Sequence, residues 1–144
     1  MKRYFALLIC FLLIIGIWYY FPTSIAKTIS DNIDISTVEQ INIILFNPGY
    51  SHKFKEVSDL STINELTKNL NEIKVSRRLR STSTYTFRTK EYNPFIILLT
   101  TNTQTVSISI FDGSYVSINN NTYKICKDQI TKDFYNLVYQ ITAE

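Results

Sequence analysis

The stretch TVSISIFDGSYVSI, residues 105–118, decides the fold. Val106, Ile108 and Ile110 alternate with Ser107 and Ser109, so an extended segment here has one apolar face and one hydroxylated face. Asp112-Gly113 is a strong hairpin signal, and Val116 and Ile118 resume the apolar face beyond it. The pattern predicts antiparallel strands packed on one side.

Neighbouring segments extend the sheet. PFIILLTT, residues 94–101, is apolar on both faces, as expected of a central strand covered on both sides. Asn102-Thr103 is a turn. Asn119-Asn120-Asn121 tolerates left-handed backbone and turns the chain again before a short strand, TYKI. A last helix begins near Asp128, which caps it, and carries Ile130, Phe134, Leu137, Val138 and Ile141 as its apolar stripe.

Upstream, VEQINIILF (38–46) reads as a strand with Ile41, Ile43 and Leu45 on one face. Pro48-Gly49 suits a type II turn, and a second strand over about 51–57 completes a hairpin. LSTINELTKNLNEI (60–73) is the clearest helix: Ile63, Leu66, Leu70 and Ile73 form one stripe, and Thr62 with Glu65 makes a capping box. Residues 74–90 hold few apolar side chains and read as an exposed loop with a ragged edge strand around Thr84–Arg88. The expected order is β-β-α-β-β-β-β-α, an α+β fold with an antiparallel sheet of about five to six strands and two helices on one face.

The N-terminus raises a question of location. Lys2 and Arg3 precede an apolar run from Tyr4 to Phe21. As a helix this run would be roughly 27 Å long, close to the hydrocarbon thickness of a bilayer. It exceeds the usual signal-peptide core of about 7–15 residues, and Trp18, Tyr19 and Tyr20 stand where a span places its aromatic belt. Residues 1–26 therefore read as an uncleaved membrane anchor with the C-terminal domain outside. The alternative is a signal peptide cut after Ala26, at the small-x-small triplet Ser24-Ile25-Ala26, giving a secreted domain. A lipoprotein leader fails, because Cys10 has too little apolar sequence before it and follows Ile9 rather than a small residue. Residues 27–37 read as a polar spacer and 38–144 as one extracytoplasmic domain, large enough for a single core.

The layout resembles a family of small exported domains of unknown function from Firmicutes. The matching residues are Ile41, Ile43, Ile63, Leu66, Leu70, Phe95, Asp112-Gly113, Ile118, Tyr123, Ile125 and Leu137. The chain departs from that pattern in lacking a usable lipobox and in its Arg-rich centre. The resemblance implies an α+β exported domain and carries over no activity, cofactor or catalytic residue. Heavy use of Ile, Asn, Lys and Tyr fits an AT-rich genome.

Catalytic patterns are absent from the sequence. Nucleophilic triads need a histidine beside the nucleophile, and the only one, His52, lies on a predicted hairpin arm. No G-x-S-x-G, H-E-x-x-H or P-loop pattern occurs. Cys10 and Cys126 form neither a CxxC nor a Cys/His cluster, so neither a metal site nor any other cofactor is expected. Cys126 reads as a small half-buried residue at a strand end. No pair of acids stands out for glycosidic chemistry; Asp112 is used in a turn, and Asp128 and Asp133 sit at the start and on the polar side of the last helix.

Charge segregation is more informative. Residues 27–73 carry four cations against seven anions and residues 91–144 three against five, whereas residues 74–90 carry six cations and no acid. These six are Lys74, Arg77, Arg78, Arg80, Arg88 and Lys90. Four are arginines, whose planar fork suits phosphate and carboxylate, and Tyr85, Phe87 and Tyr92 are interleaved or adjacent. A charged edge also discourages sheet-to-sheet association. The sequence thus points to a non-catalytic binding or accessory protein of the bacterial envelope that meets anionic lipid or wall polymer through these residues. The alternative is an inhibitor or immunity-type protein that binds another envelope protein through its sheet or the Tyr50–Phe54 hairpin. A nucleic-acid role has the right charge and the wrong compartment.

Overall fold

The computed structural model describes residues 2–47, 51–77, 93–111, 114–126 and 129–143, with the side chains of residues 2, 3 and 18 outside the description. An N-terminal helix α1 (Lys2–Tyr20) leads into a two-residue strand β1 (Thr23–Ser24) and a short helix α2 (Ile25–Ile29). A single 3-10 turn (Ile35–Thr37) precedes the hairpin of β2 (Gln40–Phe46) and β3 (His52–Val57), helix α3 (Leu60–Glu72) and β4 (Lys74–Arg77). The meander β5 (Phe95–Thr100), β6 (Thr105–Ile110), β7 (Tyr115–Ile118) and β8 (Asn121–Ile125) follows, and α4 (Gln129–Ala143) is the last element described.

The fold is α+β, built on one open, fully antiparallel eight-stranded sheet in the order β1-β4-β8-β7-β6-β5-β2-β3. The period-2 pattern of the sequence maps directly onto it. One face is an apolar surface running from Val57 and Ile41 through Leu99, Val106 and Ile118 to Ile125 and Val75, and these residues are buried. Helices α2, α3 and α4 cover this face with Ile25, Ile29, Ile63, Leu66, Leu70, Phe134, Tyr135 and Val138. Each such side chain contributes about 1.5–3 kcal/mol by leaving water. Phe95 of β5 meets the ring of Tyr135 edge-on at 5.6 Å, which seats α4 over the centre of the sheet.

Several expectations change. The sheet has eight strands rather than five or six. One of the added strands is β4, over Lys74–Arg77, within the segment read as an exposed loop. The expected edge strand near Thr84–Arg88 lies outside the described residues, as do the Pro48-Gly49 and Asp112-Gly113 turns and the Asp128 cap. The end of the segment read as an anchor and the polar stretch read as a spacer are built into the core: Ile25 and Ala26 of the first and Ile29 and Ile33 of the second are buried. These isoleucines recur at a spacing of four, a helical period too short-lived to register as an amphipathic pattern. Strand β5 is buried on one face only. On the other, Ile96 and Leu98 are half-exposed and stay outside the core.

The cap of α3 also moves. Asp59, not Thr62, is the N-cap, and its carboxylate accepts from the Thr62 N–H at 2.9 Å, the Thr62 hydroxyl at 2.8 Å and the Ser61 hydroxyl at 2.7 Å. A carboxylate at this position satisfies orphan N–H groups and opposes the positive end of the helix dipole. The turn after β7 conforms to expectation: Asn119 and Asn120 have φ of 46° and 68°, the left-handed conformation that asparagine tolerates. On edge strand β3, Lys53 and Lys55 pair with Leu45 and Ile43 on the core side of the sheet, where charge discourages addition of a further strand.

The Ser61 hydroxyl, then the Thr62 N–H, hold the Asp59 carboxyl down from the ordinary 3.8 to about 2. Because the folded value lies below the unfolded one, the cap stabilises fully above pH 3.8 and is lost as pH falls through about 2. Asp59→Ala should therefore lower the thermal midpoint at pH 7. The gap to the parent should close as melts are repeated from pH 4 down to pH 2. A constant gap across that range would show that the carboxylate charge is not what stabilises the helix.

A candidate anion-binding cleft at the foot of the N-terminal helix

The chain leaves α1 through Phe21-Pro22 and enters the sheet at once. Thr23 and Ser24 pair with Val75 and Lys74, adding a two-residue edge to β4. Ser24 then turns the chain: its hydroxyl accepts from the Lys27 N–H at 3.1 Å and its carbonyl accepts from the Thr28 hydroxyl at 2.9 Å, so it caps α2. The Ile25 N–H donates to the Ile73 carbonyl at 3.0 Å, and the Ile25 side chain is fully buried. These contacts hold the backbones of Lys27 in α2 and Lys74 in β4 at one end of the sheet.

Arg77 is reached differently. Strand β1 is too short to flank all of β4, so Arg77 passes beyond its end and meets α1. Its guanidinium carbon lies 5.6 Å from the centroid of the Tyr19 ring, a cation–π contact worth about 0.5–1 kcal/mol where solvent is near. The gap left between the last turns of α1 and the β1–β4 edge is a half-open cleft of about 1020 Å³. Lys27, Lys74 and Arg77 line it, and among the described residues Asp31 is the one acid that does. Among the described residues no acid pairs with any of the three cations. The opposite wall is apolar and belongs to α1, with Ile14 and Ile17, and to Phe21 beyond it.

Two of the six cations singled out in the sequence, Lys74 and Arg77, thus line the cleft. Arg78, Arg80, Arg88 and Lys90 lie outside the described residues, as do Tyr85, Phe87 and Tyr92. Lys27 was missed, since it stands 47 positions before Lys74 in what reads as a spacer. The small-x-small triplet was the local signal available, and it turns out to carry a helix cap and a core residue.

The remaining chemistry is sparse. His52 is exposed on β3, the far edge of the sheet from the cleft. Among the described residues no group of three or more His, Cys, Asp or Glu could hold a metal ion. Cys10 is exposed on α1 and Cys126 is half-buried just after β8, both as free thiols. The Asp133 carboxylate accepts from the Gln129 amide at 2.8 Å on the outer side of α4.

The uncovered face of the sheet is divided. One row across it runs Phe54, Ile44, Ile96, Ser109, Ser117 and Thr122, apolar over β3, β2 and β5 and hydroxylated over β6, β7 and β8. Phe54 is 60% exposed and Phe46 37%.

No protein-family model matches the chain, and no curated protein or solved structure matches it either.

Because Ile25 is fully enclosed, Ile25→Ala should cost about 2–5 kcal/mol in chemical denaturation. Thr28→Val, which removes a half-buried hydroxyl near the surface, should cost far less. Equal, small losses for both would mean that residues 23–29 do not form part of the core.

Proposed function

We propose that the protein is a non-catalytic accessory protein of the bacterial cell envelope, held in the membrane by α1. Its C-terminal domain lies outside, and its basic residues contact an anionic surface. The observation that carries this reading is the placement of Lys27, Lys74 and Arg77 at the foot of an apolar helix. Leu7, Leu8, Phe11, Leu12, Leu13, Ile14 and Ile17 project from all sides of α1 and are exposed. In water each would forgo the stabilisation that burial gives. A helix apolar all round needs an apolar surrounding. Among the described residues no helix is long and apolar enough to cross a membrane. The full run from Tyr4 to Phe21 also includes Trp18, whose side chain is outside the description. Lys2 and Arg3 before the run favour an outward-facing domain by the positive-inside rule.

Retention of the helix is supported by the core as well. Cleavage after Ala26 would remove β1, the cap of α2 and the buried Ile25 from the folded domain. The expected outcome is an intact N-terminus at Met1 in mass spectrometry of the full chain from cells, in a membrane fraction that resists alkaline carbonate. The domain should be accessible to protease from outside. A soluble species beginning at Lys27 would overturn the anchor.

A second reading, binding of another envelope protein in the manner of an inhibitor or immunity protein, is favoured by exposed Phe54 beside Ile44 and Ile96. It predicts a stoichiometric crosslinked partner in cells that Phe54→Ser abolishes and Arg77→Gln leaves unchanged. Crosslinks lost equally in both variants would count against the sheet face as the contact.

A further inference from the structure

The cleft has the shape and polarity of an amphiphile. One wall is the apolar flank of α1, with Ile14 and Ile17, and the other is a cationic edge of the sheet. Lys27 comes from α2, and Lys74 and Arg77 from opposite faces of β4, yet all three line the cleft. The Arg77 guanidinium lies over the Tyr19 ring, a contact that holds it at the α1 side of the cleft while its N–H groups can still serve an oxygen acceptor. The backbone of Lys27 is held by the Ser24 cap and that of Lys74 by pairing with Ser24. Three cations against Asp31 leave an excess of positive charge facing a cavity of about 1020 Å³.

We propose that this cleft binds one anionic phospholipid. Its headgroup phosphate is held by Lys27, Lys74 and Arg77, and its acyl chains lie along Ile14 and Ile17 of α1. The inference rests on the anchor reading and adds a defined site and ligand class to it. Phosphate suits the donors: lysine supplies a compact ammonium charge and arginine directed N–H groups. An anionic lipid is favoured over a free phosphate because half of the cleft is apolar, and that half is continuous with a helix that needs lipid around it. The Arg77–Tyr19 contact gives the site a geometric link between membrane helix and domain, so that lipid occupancy would fix how the sheet stands on the bilayer.

The test uses the full chain purified in a mild detergent. Retained lipid is counted by native mass spectrometry after addition of phosphatidylglycerol or phosphatidylcholine, with sn-glycerol 3-phosphate as a headgroup lacking chains. One phosphatidylglycerol should be retained in preference to phosphatidylcholine, and glycerol phosphate should bind far more weakly. The variant carrying Lys27→Gln, Lys74→Gln and Arg77→Gln should lose affinity on the order of a hundredfold. Asp31→Asn, which removes the one opposing charge among the described residues of the cleft, should tighten retention, and it guards against a triple variant that merely fails to fold. Equal retention of the neutral lipid, an affinity unchanged in both variants, or glycerol phosphate binding as tightly as the lipid would each overturn the proposal. These failures are separable from failure of the anchor. A chain that is intact and membrane-integral yet retains no anionic lipid defeats the cleft alone, whereas a chain released at Lys27 defeats the anchor.

Discussion

The structure depends on enclosing one apolar face of an eight-stranded sheet. Strands alone leave that face wet, and two helices of ordinary length, α3 and α4, cover the centre and the β3 side. The β4 end is closed by α2, which brings Ile25 and Ile29 over Val75 and Ile73. The chain that emerges from the N-terminal helix is therefore recruited to finish the core. This constraint joins location to folding, since the residues that link helix to domain are the same residues that exclude water from one end of it.

That junction also gives the basic residues their meaning. Lysines and arginines in an unstructured linker would make a diffuse field, screened within about a Debye length of roughly 10 Å. Here the backbones of Lys27 and Lys74 are held by a helix cap and strand pairing, and the Arg77 guanidinium lies against an aromatic ring on α1. The result is a cleft with direction, cationic towards the domain and apolar towards the helix. The opposite edge of the sheet has another character. Lys53 and Lys55 guard the core side of β3, while Phe54 and Phe46 are exposed on the uncovered face. The two ends of the sheet thus differ in character, cationic beside an apolar wall at β1–β4 and aromatic at β2–β3.

Much of the fold was legible from side-chain periodicity. Alternation in residues 105–118 and 38–46 fixed which face of each strand would be buried, and Ile63, Leu66 and Leu70 gave α3 its inner stripe. In these segments the pattern is long enough to specify both element and face. The errors fall where it is short. Ile25 and Ile29 span barely one helical turn, and Lys74–Arg77 offers only Val75 as an apolar residue. Neither segment has intrinsic reason to be helix or strand; each is ordered by partners distant in the chain. The α3 cap was misassigned because Ser58, Asp59, Ser61 and Thr62 are all competent caps, and only the geometry of the first turn selects the carboxylate.

The sequence by itself determined the α+β class, the antiparallel meander, the apolar N-terminal run and the concentration of cations after residue 73. Those properties are local in composition and period, so they survive reading in one dimension. Tertiary structure alone decided that residues 23–29 belong to the core, that β4 lies one strand from the edge, and that Lys27, Lys74 and Arg77 line one cleft. These are long-range pairings, set by which buried surface remains to be covered once the longer elements have packed. No spacing along the chain encodes them.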